Sequence, residues 1–287
     1  MSRAYDGAVV RKAERLGAGH GPARPVGNAT RGTTHPHRMR RVDRWMTGPE
    51  AWRLRAAQTP VAVDLGYGAS ATTAVELFER LRAVRGDTRL VGLEIDPARV
   101  AAAGPLERAG LEFRVGGFEV PVRPDPVFIR AFNVLRQYDE ADVPAIWAAL
   151  ASRLAPGGLL VEGTCDEIGR RATWVGVEAD GPVTLSLSLR FGAFALPSDA
   201  ADRLPKALIH RNVPGERVHG FLRAADAAWL GAAPLAAFGN RQRWISMCRT
   251  LRAAGWPVRD GVARWRLGEL TVAWDCVAPR SGGLALP

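Results

Sequence analysis

Lysine is almost missing from this chain: of 39 Lys and Arg residues only Lys12 and Lys206 are lysine. Cysteine is scarce too, with Cys165, Cys248 and Cys276 as an odd, widely spaced set, which excludes a disulfide framework and a cysteine zinc cluster and fits a reducing cytosol. No run of eighteen apolar residues occurs, so a membrane-spanning helix is not expected. The opening Met1-Ser-Arg-Ala-Tyr-Asp has no apolar stretch of the kind a secretory signal carries, and the sequon Asn28-Ala-Thr30 therefore lacks a secretory context. These absences lead to the expectation of a cytoplasmic protein with no membrane partner. His35-x-His37, and His210 with His219, lack metal-ligand spacing, so no metal is expected.

With 287 residues and 47% hydrophobic content, the chain is long enough to bury one substantial core plus an extension. Its net charge of +10 is unevenly placed: residues 1–58 hold twelve Arg or Lys against four acids, a net +8, so the remainder is nearly balanced. The Arg, Ala and Gly richness has the look of a GC-rich bacterial genome, which weakens the basic pI as a sign of nucleic-acid binding.

The most informative stretch is Val61-Ala-Val-Asp64-Leu-Gly66-Tyr67-Gly68-Ala-Ser70. Val61 to Leu65 is short, apolar and β-branched, as a strand covered on both faces should be. Gly66 and Gly68 allow a tight turn and close approach of a ligand, and the helix expected over Ala71 to Arg82 turns its N-terminal N–H groups toward that ligand. Asp64 ends the strand two residues before the first glycine, where a carboxylate accepts from an ammonium or a water. The same residues also read as Gly66-x-Gly68-x-x-Ala71, close to a dinucleotide fingerprint, or as a packed glycine turn with no ligand.

Leu90 to Ile95 is a second apolar strand ending in Glu94, followed by Asp96-Pro97 as N-cap and first helical residue of a helix to about Arg108. Leu111 to Val115 is a third strand, leading into Gly116-Gly117-Phe118-Glu119. Val127 to Phe132 is a fourth, leading into Asn133-Val-Leu-Arg136-Gln137-Tyr138. A helix from about Glu140 to Leu154 ends at Ala155-Pro-Gly-Gly158, and Leu159 to Thr164 is the fifth strand. Later, Leu251-Arg-Ala-Ala-Gly255-Trp256 closes a helix, and two strands are expected over Val258 to Leu267 and Leu270 to Val277 as a terminal antiparallel hairpin.

Asp-x-Gly-x-Gly after a strand, an acid at the second strand end and Leu-x-Pro-Gly-Gly before the fifth strand together resemble the class I S-adenosylmethionine (SAM) dependent methyltransferases, here of bacterial, actinobacterial type. The resemblance covers roughly residues 58–166 and 240–278. It implies an α/β fold, a Rossmann-like seven-stranded class I methyltransferase sheet with an inserted cap between strand 5 and the last helix. It also implies SAM as cofactor, with Asp64, Gly66, Tyr67, Gly68, Glu94, Phe118, Glu119 and Asn133 as binding residues, Glu94 accepting from both ribose hydroxyls. The chain departs from the family at Gly117, where an aspartate often meets the adenine amino group; adenine recognition is then left to the backbone around Phe118 together with Glu119.

The expected organisation is a flexible basic segment over 1–30, an N-terminal helix or lid over 31–58, a core over 59–166 and 239–278, an inserted substrate cap over 167–238 and a tail over 279–287. Within the cap, Ala172 to Glu178 and Val183 to Phe191 alternate like a hairpin around Asp180-Gly181. Met39, Val42, Trp45 and Met46 have the spacing of an amphipathic helix. Three readings of that helix stand side by side: packed on the sheet with a solvated basic face, a lid with an arginine from 38 to 44 pairing the SAM carboxylate, or an RNA-docking arm.

Methyl transfer from a sulfonium needs alignment above all. Asn133, Tyr138, His210 and His219 are the catalytic candidates, and Tyr67, Arg136, Asp166 and Glu167 are further polar groups expected near the strand ends. Asn133 is followed by Val-Leu-Arg, not Pro-Pro-aromatic, and no Pro-Cys nucleophile is present, which disfavours two nucleic-acid methyltransferase types. The expected acceptor is a small molecule. A SAM- or nucleotide-binding protein without turnover and an RNA methyltransferase are the alternatives.

Overall fold

The computed structural model describes residues 25–29 and 34–280. The remaining residues, and with them most of the flexible segment expected over 1–30 and most of the tail expected over 279–287, lie outside that description. Strands β1 (Val61–Leu65), β2 (Arg89–Glu94), β3 (Leu111–Val115), β4 (Phe128–Phe132) and β5 (Leu159–Cys165) pair in parallel. Then β6 (Arg171–Glu178), β7 (Gly181–Leu189) and β8 (Glu269–Ala273) add antiparallel, giving the order β3-β2-β1-β4-β5-β6-β7-β8. This is the expected Rossmann-like α/β sheet, with its switch point between β1 and β4, where ligands bind at the carboxyl ends of the strands.

β1, β2, β4 and β5 are mostly apolar because both faces are covered, whereas β3 at the sheet edge is part-exposed. On β1, Val61, Val63 and Leu65 join the core shared with helices α5 (Val143–Ala151), α7 (Arg217–Gly231) and α8 (Asn240–Ala253). Ala62 faces the opposite core, filled by α1 (Arg40–Met46), α2 (Ala51–Ala56) and α3 (Thr72–Val84). Helix α4 (Pro97–Ala103) starts where expected, with the Asp96 carboxylate accepting from Ala98 N at 2.8 Å, and stops short of Arg108 because Gly104-Pro105 opens a 3-10 turn. Short helices α6 (Lys206–Ile209) and α9 (Val262–Trp265) complete the described set, and no helix among the described residues is long and apolar enough to cross a membrane.

Two expectations are corrected. The sheet has eight strands, not seven, because the hairpin assigned to the cap is part of it: β6 and β7 bury Trp174, Val175, Val177, Leu185, Leu187 and Leu189 and extend the open edge of β5. Only the segment after β7 remains as a helical layer, with Phe221, Leu222 and Trp229 of α7 packed in one core with Trp244 of α8. The terminal hairpin shrinks to one antiparallel bridge, Val258 with Val272. Asp260 accepts from Trp265 Nε1 at 2.6 Å and from Thr271 N at 3.0 Å, holding the intervening residues as α9, and β8 pairs along its length with β7.

One polar cluster crosses the core on the α1 side of the sheet. Arg130 on β4 is in register with Asp64 on β1 and is 1% exposed. Its Nε and Nη2 donate to the two oxygens of Asp64 at 2.9 and 2.7 Å, Nη1 donates to Asp43 of α1 at 2.5 Å, and Nη2 also reaches the Thr73 carbonyl at 3.0 Å. Arg80 of α3 holds the other Asp43 oxygen at 2.9 Å. Burial opposes the Arg130 charge, but Asp64 and Asp43 outweigh it and its pKa is raised. Burial pushes Asp43 up to about 6, with Arg130 and Arg80 pulling the other way. The helix over 31–58 is therefore packed on the sheet, with Val42, Asp43, Trp45 and Met46 buried.

Glu162 on β5 points into the other core, and neither of its carboxylate oxygens has a hydrogen-bond partner. Burial pushes its carboxyl up to about 8, the Trp147 indole N–H opposing the shift.

These two clusters generate two predictions. Arg130→Met leaves two carboxylates buried without their cation and should cost about 3–5 kcal/mol in urea unfolding, whereas the Arg130→Met, Asp64→Asn, Asp43→Asn triple variant should recover part of the loss. An Asp64→Asn loss as small as a surface substitution would show that the cluster is not holding the strands. Glu162 binds its proton more tightly folded than unfolded, so its contribution is greatest below the unfolded carboxyl value and is lost as pH rises toward about 8. Glu162→Gln should thus gain stability relative to the parent as pH is raised from 5 to 8, read as a widening gap in urea midpoints; a constant gap would mean the carboxyl is not titrating in that window.

Candidate functional site

The turn after β1 is where chain geometry and chemistry meet. Gly66 and Gly68 lie at φ 70° and 83°, conformations that favour glycine. Gly66 N donates to Leu93 O at 2.7 Å, and Gly68 N donates to Glu94 Oε2 at 3.0 Å. Glu94 Oε1 accepts from Ile95 N and Asp96 N at 2.9 and 3.3 Å, and Arg99 Nη1 stands 3.6 Å from Oε2. Glu94 is 1% exposed. A carboxylate has about four acceptor positions; backbone N–H groups occupy three, so Glu94 has room for about one ligand hydroxyl, not the vicinal pair expected from the resemblance.

A depression lies on each side of this turn, and both share Leu65 and Gly66. The larger is a cavity of about 510 Å³, within the range of small-molecule sites. Asp64, Tyr67, Gly68 and Asn133 line it, together with Arg38, Arg136, Gln137 and Glu167, which reach it from other elements. Asn133 adopts φ 60° at the end of β4, its Oδ1 accepting from Cys165 N at 3.0 Å, which fixes the side chain at the rim. Arg38 donates from Nε to the Asp166 carbonyl at 2.9 Å. Asp64 enters the site already bonded through both oxygens to Arg130, so its ammonium-accepting role is limited to the acceptor capacity that Arg130 leaves. Tyr67 sends its ring away onto Phe113, 5.2 Å between centroids, and burial, then Glu94 and Asp64, raise its phenol pKa.

The smaller depression is bounded by Glu94, Ile95, Gly116, Gly117, Phe118, Val134 and Tyr138. Its interior is occupied by the chain itself: Val26, Gly27 and Asn28 lie across it. Val26 N donates to Glu119 Oε2 at 2.8 Å and Phe118 N donates to Val26 O at 2.9 Å. The other Glu119 oxygen accepts from Gly117 N at 2.8 Å. Asn28 N donates to the Tyr138 hydroxyl at 2.6 Å and Gln137 Nε2 donates to Asn28 O at 3.0 Å, while the Tyr138 ring leans on Phe118 with centroids 5.2 Å apart. Val26 and Asn28 contradict the flexible assignment for their part of 1–30: both are tied down through backbone groups.

Of the catalytic candidates, only Asn133 is on the cavity. Tyr138 belongs to the smaller depression, and burial raises its pKa. His210 is paired with Lys206 Nζ at 3.3 Å and His219 with Asn212 at 3.2 Å, and neither is among the cavity-lining residues. Arg211, between them, is an ion-pair partner of Glu140 and of Glu216. It is the 3-10 helix Pro197–Arg203, ahead of α6, that is anchored against the strand ends: Thr164 and Thr173 hydroxyls both donate to the Arg203 carbonyl, and Arg136 Nη1 donates to Asp202 O at 3.1 Å. Sequence reasoning missed Arg130, Asp43 and Val26; for Arg130 the signal was present, a single charge inside a strand otherwise covered on both faces.

No protein-family model matches the chain and no curated protein is similar to it. Several solved structures are similar over part of its length. An amino pentose methyltransferase from Micromonospora echinaspora, CalS10 with bound SAM, is 22% identical at a TM-score of 0.32, over 55% of this chain and 66% of its own. Human N-acetylserotonin methyltransferase in complex with SAM is 18% identical at 0.30, over 46% and 39%. A protein described as a pericyclic reaction enzyme is 15% identical at 0.32, over 48% and 34%. The chain thus spans about a third of the length of several structures it matches.

Proposed function

We propose that the protein is a class I SAM-dependent methyltransferase acting on a small-molecule acceptor. The observation that carries this reading is the pair of depressions on either side of a left-handed glycine turn at the β1/β4 switch point, with one buried carboxylate, Glu94, pinning the turn between them. That layout suits a ligand with two unlike ends joined by a sugar. The Phe118 N–H and the Glu119 carboxylate form the donor and acceptor pair that an adenine edge requires, as they already bond the C=O and N–H of a single residue, Val26. Glu94 supports a ribose hydroxyl, and Gly66 and Gly68 let the backbone approach the middle of the ligand. Arg38 and Asn133 offer polar contacts for an amino-acid end in the cavity.

SAM, when bound, supplies an electrophilic methyl group that passes to the acceptor nucleophile by in-line displacement. What the chain contributes is alignment, which is worth on the order of 7–11 kcal/mol when a reacting pair is held correctly. Asn133, Arg136, Gln137 and Glu167 are the side chains in position to orient an acceptor beside the glycine turn. Glu167, exposed at the mouth and only loosely paired with Arg203 at 3.7 Å, is better placed to take a proton from an acceptor than Asp64, which Arg130 holds through both oxygens. This assigns acceptor contact to the strand ends and withdraws it from His210 and His219.

The test is calorimetric titration with SAM and S-adenosylhomocysteine, followed by transfer of labelled methyl to a panel of small acceptors. Two variants sharpen it. Gly68→Val forces a branched residue to φ 83° and should abolish SAM binding while leaving the far-UV spectrum nearly native; equal binding would make the turn merely structural. Glu94→Ala removes the pin on Gly68 and the last ribose acceptor together and should weaken SAM by about 2 kcal/mol, about thirtyfold. Unchanged affinity in a folded Glu94→Ala protein would take Glu94 out of the site.

A further inference from the structure

We infer that residues Val26 to Asn28 are an intramolecular stand-in for adenine, a strap that the nucleoside end of the cofactor must displace; this rests on the SAM reading above. The peptide groups of Val26 present one N–H and one C=O side by side, and they meet Glu119 Oε2 at 2.8 Å and Phe118 N at 2.9 Å. An adenine edge presents the same two functions, the exocyclic amino donor and the adjacent ring-nitrogen acceptor, so strap and base bid for the same pair of protein groups. Gly27 then lies where a flat ring would slide in. A Cβ at Gly27 would be 3.6 Å from Ile95 Cδ1 and 3.7 Å from Phe118 Cε2, the two apolar walls of the slot. With Asn28 held by Tyr138 and Gln137, the segment is bonded at both ends of this stretch.

Gly117 explains how the strap fits. Any Cβ there would collide with the Val26 carbonyl oxygen, so glycine at this position is what admits the backbone. The position where the resemblance leads one to expect an aspartate is therefore occupied by the one residue that lets the chain fold onto its own site. Glu119, two residues on, takes over as acceptor and is itself steadied by Gly117 N.

A closed strap lowers the apparent affinity for any adenine nucleoside by the fraction of molecules in which the slot is open. The full-length protein, full-length Val26→Pro, which removes the N–H bonded to Glu119, and full-length Tyr138→Phe, which keeps the ring on Phe118 and removes the hydroxyl that accepts from Asn28 N, are titrated separately with adenosine and with S-adenosylhomocysteine. Hydrogen exchange at the Val26 amide is followed in the parent protein with and without saturating ligand. The expected result is binding at least about tenfold tighter in both variants, and faster exchange at Val26 on ligand addition. If S-adenosylhomocysteine binds all three proteins alike and Val26 stays protected, the strap proposal is overturned while the methyltransferase reading stands. If adenosine gains affinity in the variants but S-adenosylhomocysteine binds none, the strap stands and the methyltransferase reading falls. Failure of both ligands with every protein overturns both.

Discussion

The guanidinium of Arg130 is the point on which the first half of the molecule turns. It is buried, and a buried charge left alone costs several kcal/mol. Its two carboxylate partners come from chain positions far apart, Asp64 on the neighbouring strand and Asp43 on the N-terminal helix, and each bond fixes a different relation between elements. The Asp64 pair sets the register of β1 against β4, the Asp43 bond seats α1 on the sheet, and the bond to the Thr73 carbonyl sets the first turn of α3. Arg80 supplies the second positive charge, so each aspartate meets an arginine, and Arg80 also reaches Glu76 at 3.4 Å. A cluster satisfied in this way orders its surroundings through geometry more than through net stabilisation, because much of the Coulomb gain is returned as desolvation.

That geometry is handed directly to the site. Asp64 is the residue from which the glycine turn departs, and the turn's other anchor is Glu94 at the end of β2. Two carboxylates at adjacent strand ends thus do different work: one faces into the sheet and is neutralised by Arg130, the other collects backbone N–H groups. The division follows from side-chain alternation. Asp64 shares the α1 side of β1 with Ala62, where Asp43 and Arg80 are, whereas Glu94, which is the last residue of its strand, meets the exposed N–H groups of Gly68, Ile95 and Asp96. Neither role needs a ligand, yet together they leave a rigid turn with space on both sides.

How far this was legible in the residues depends on the kind of contact involved. β1, β3, the glycine turn and the acid closing β2 were all readable, because each is a local pattern of apolar period, glycine or strand-end charge. The partners of Arg130 were not, since Asp64 and Asp43 lie 66 and 87 residues from it and meet it only when the sheet forms. The terminal hairpin was misread because one side chain, Asp260, satisfies groups on both sides of a bend and converts an alternating segment into a helical turn. The docked segment at Val26 was hidden for a different reason. Its bonds run through backbone N–H and C=O, which every residue carries, so a stretch rich in glycine and proline gives no compositional sign that it is held.

The scarcity of lysine has a structural counterpart in the way arginine is spent. Arg38 and Arg41 donate to the carbonyls of Asp166, Gly169 and Leu267; Arg53 to Gly157; Arg85 to Leu54, Arg55 and Ala57; Arg136, Arg153 and Arg171 to Asp202, Val120 and Asp199. A planar guanidinium with five donors can brace several turn carbonyls at once, which a lysine ammonium on a flexible stem does less well. Carbonyls are neutral, so a brace of this kind does not itself require an acid, although Arg53, Arg85 and Arg171 also pair with Glu50 and Glu178, with Asp87 and with Asp202. A chain built this way accumulates positive charge as a consequence of how its loops are held together. Its net +10 is thereby accounted for in part by internal bonding, and basicity alone loses its force as an argument for a polyanionic partner.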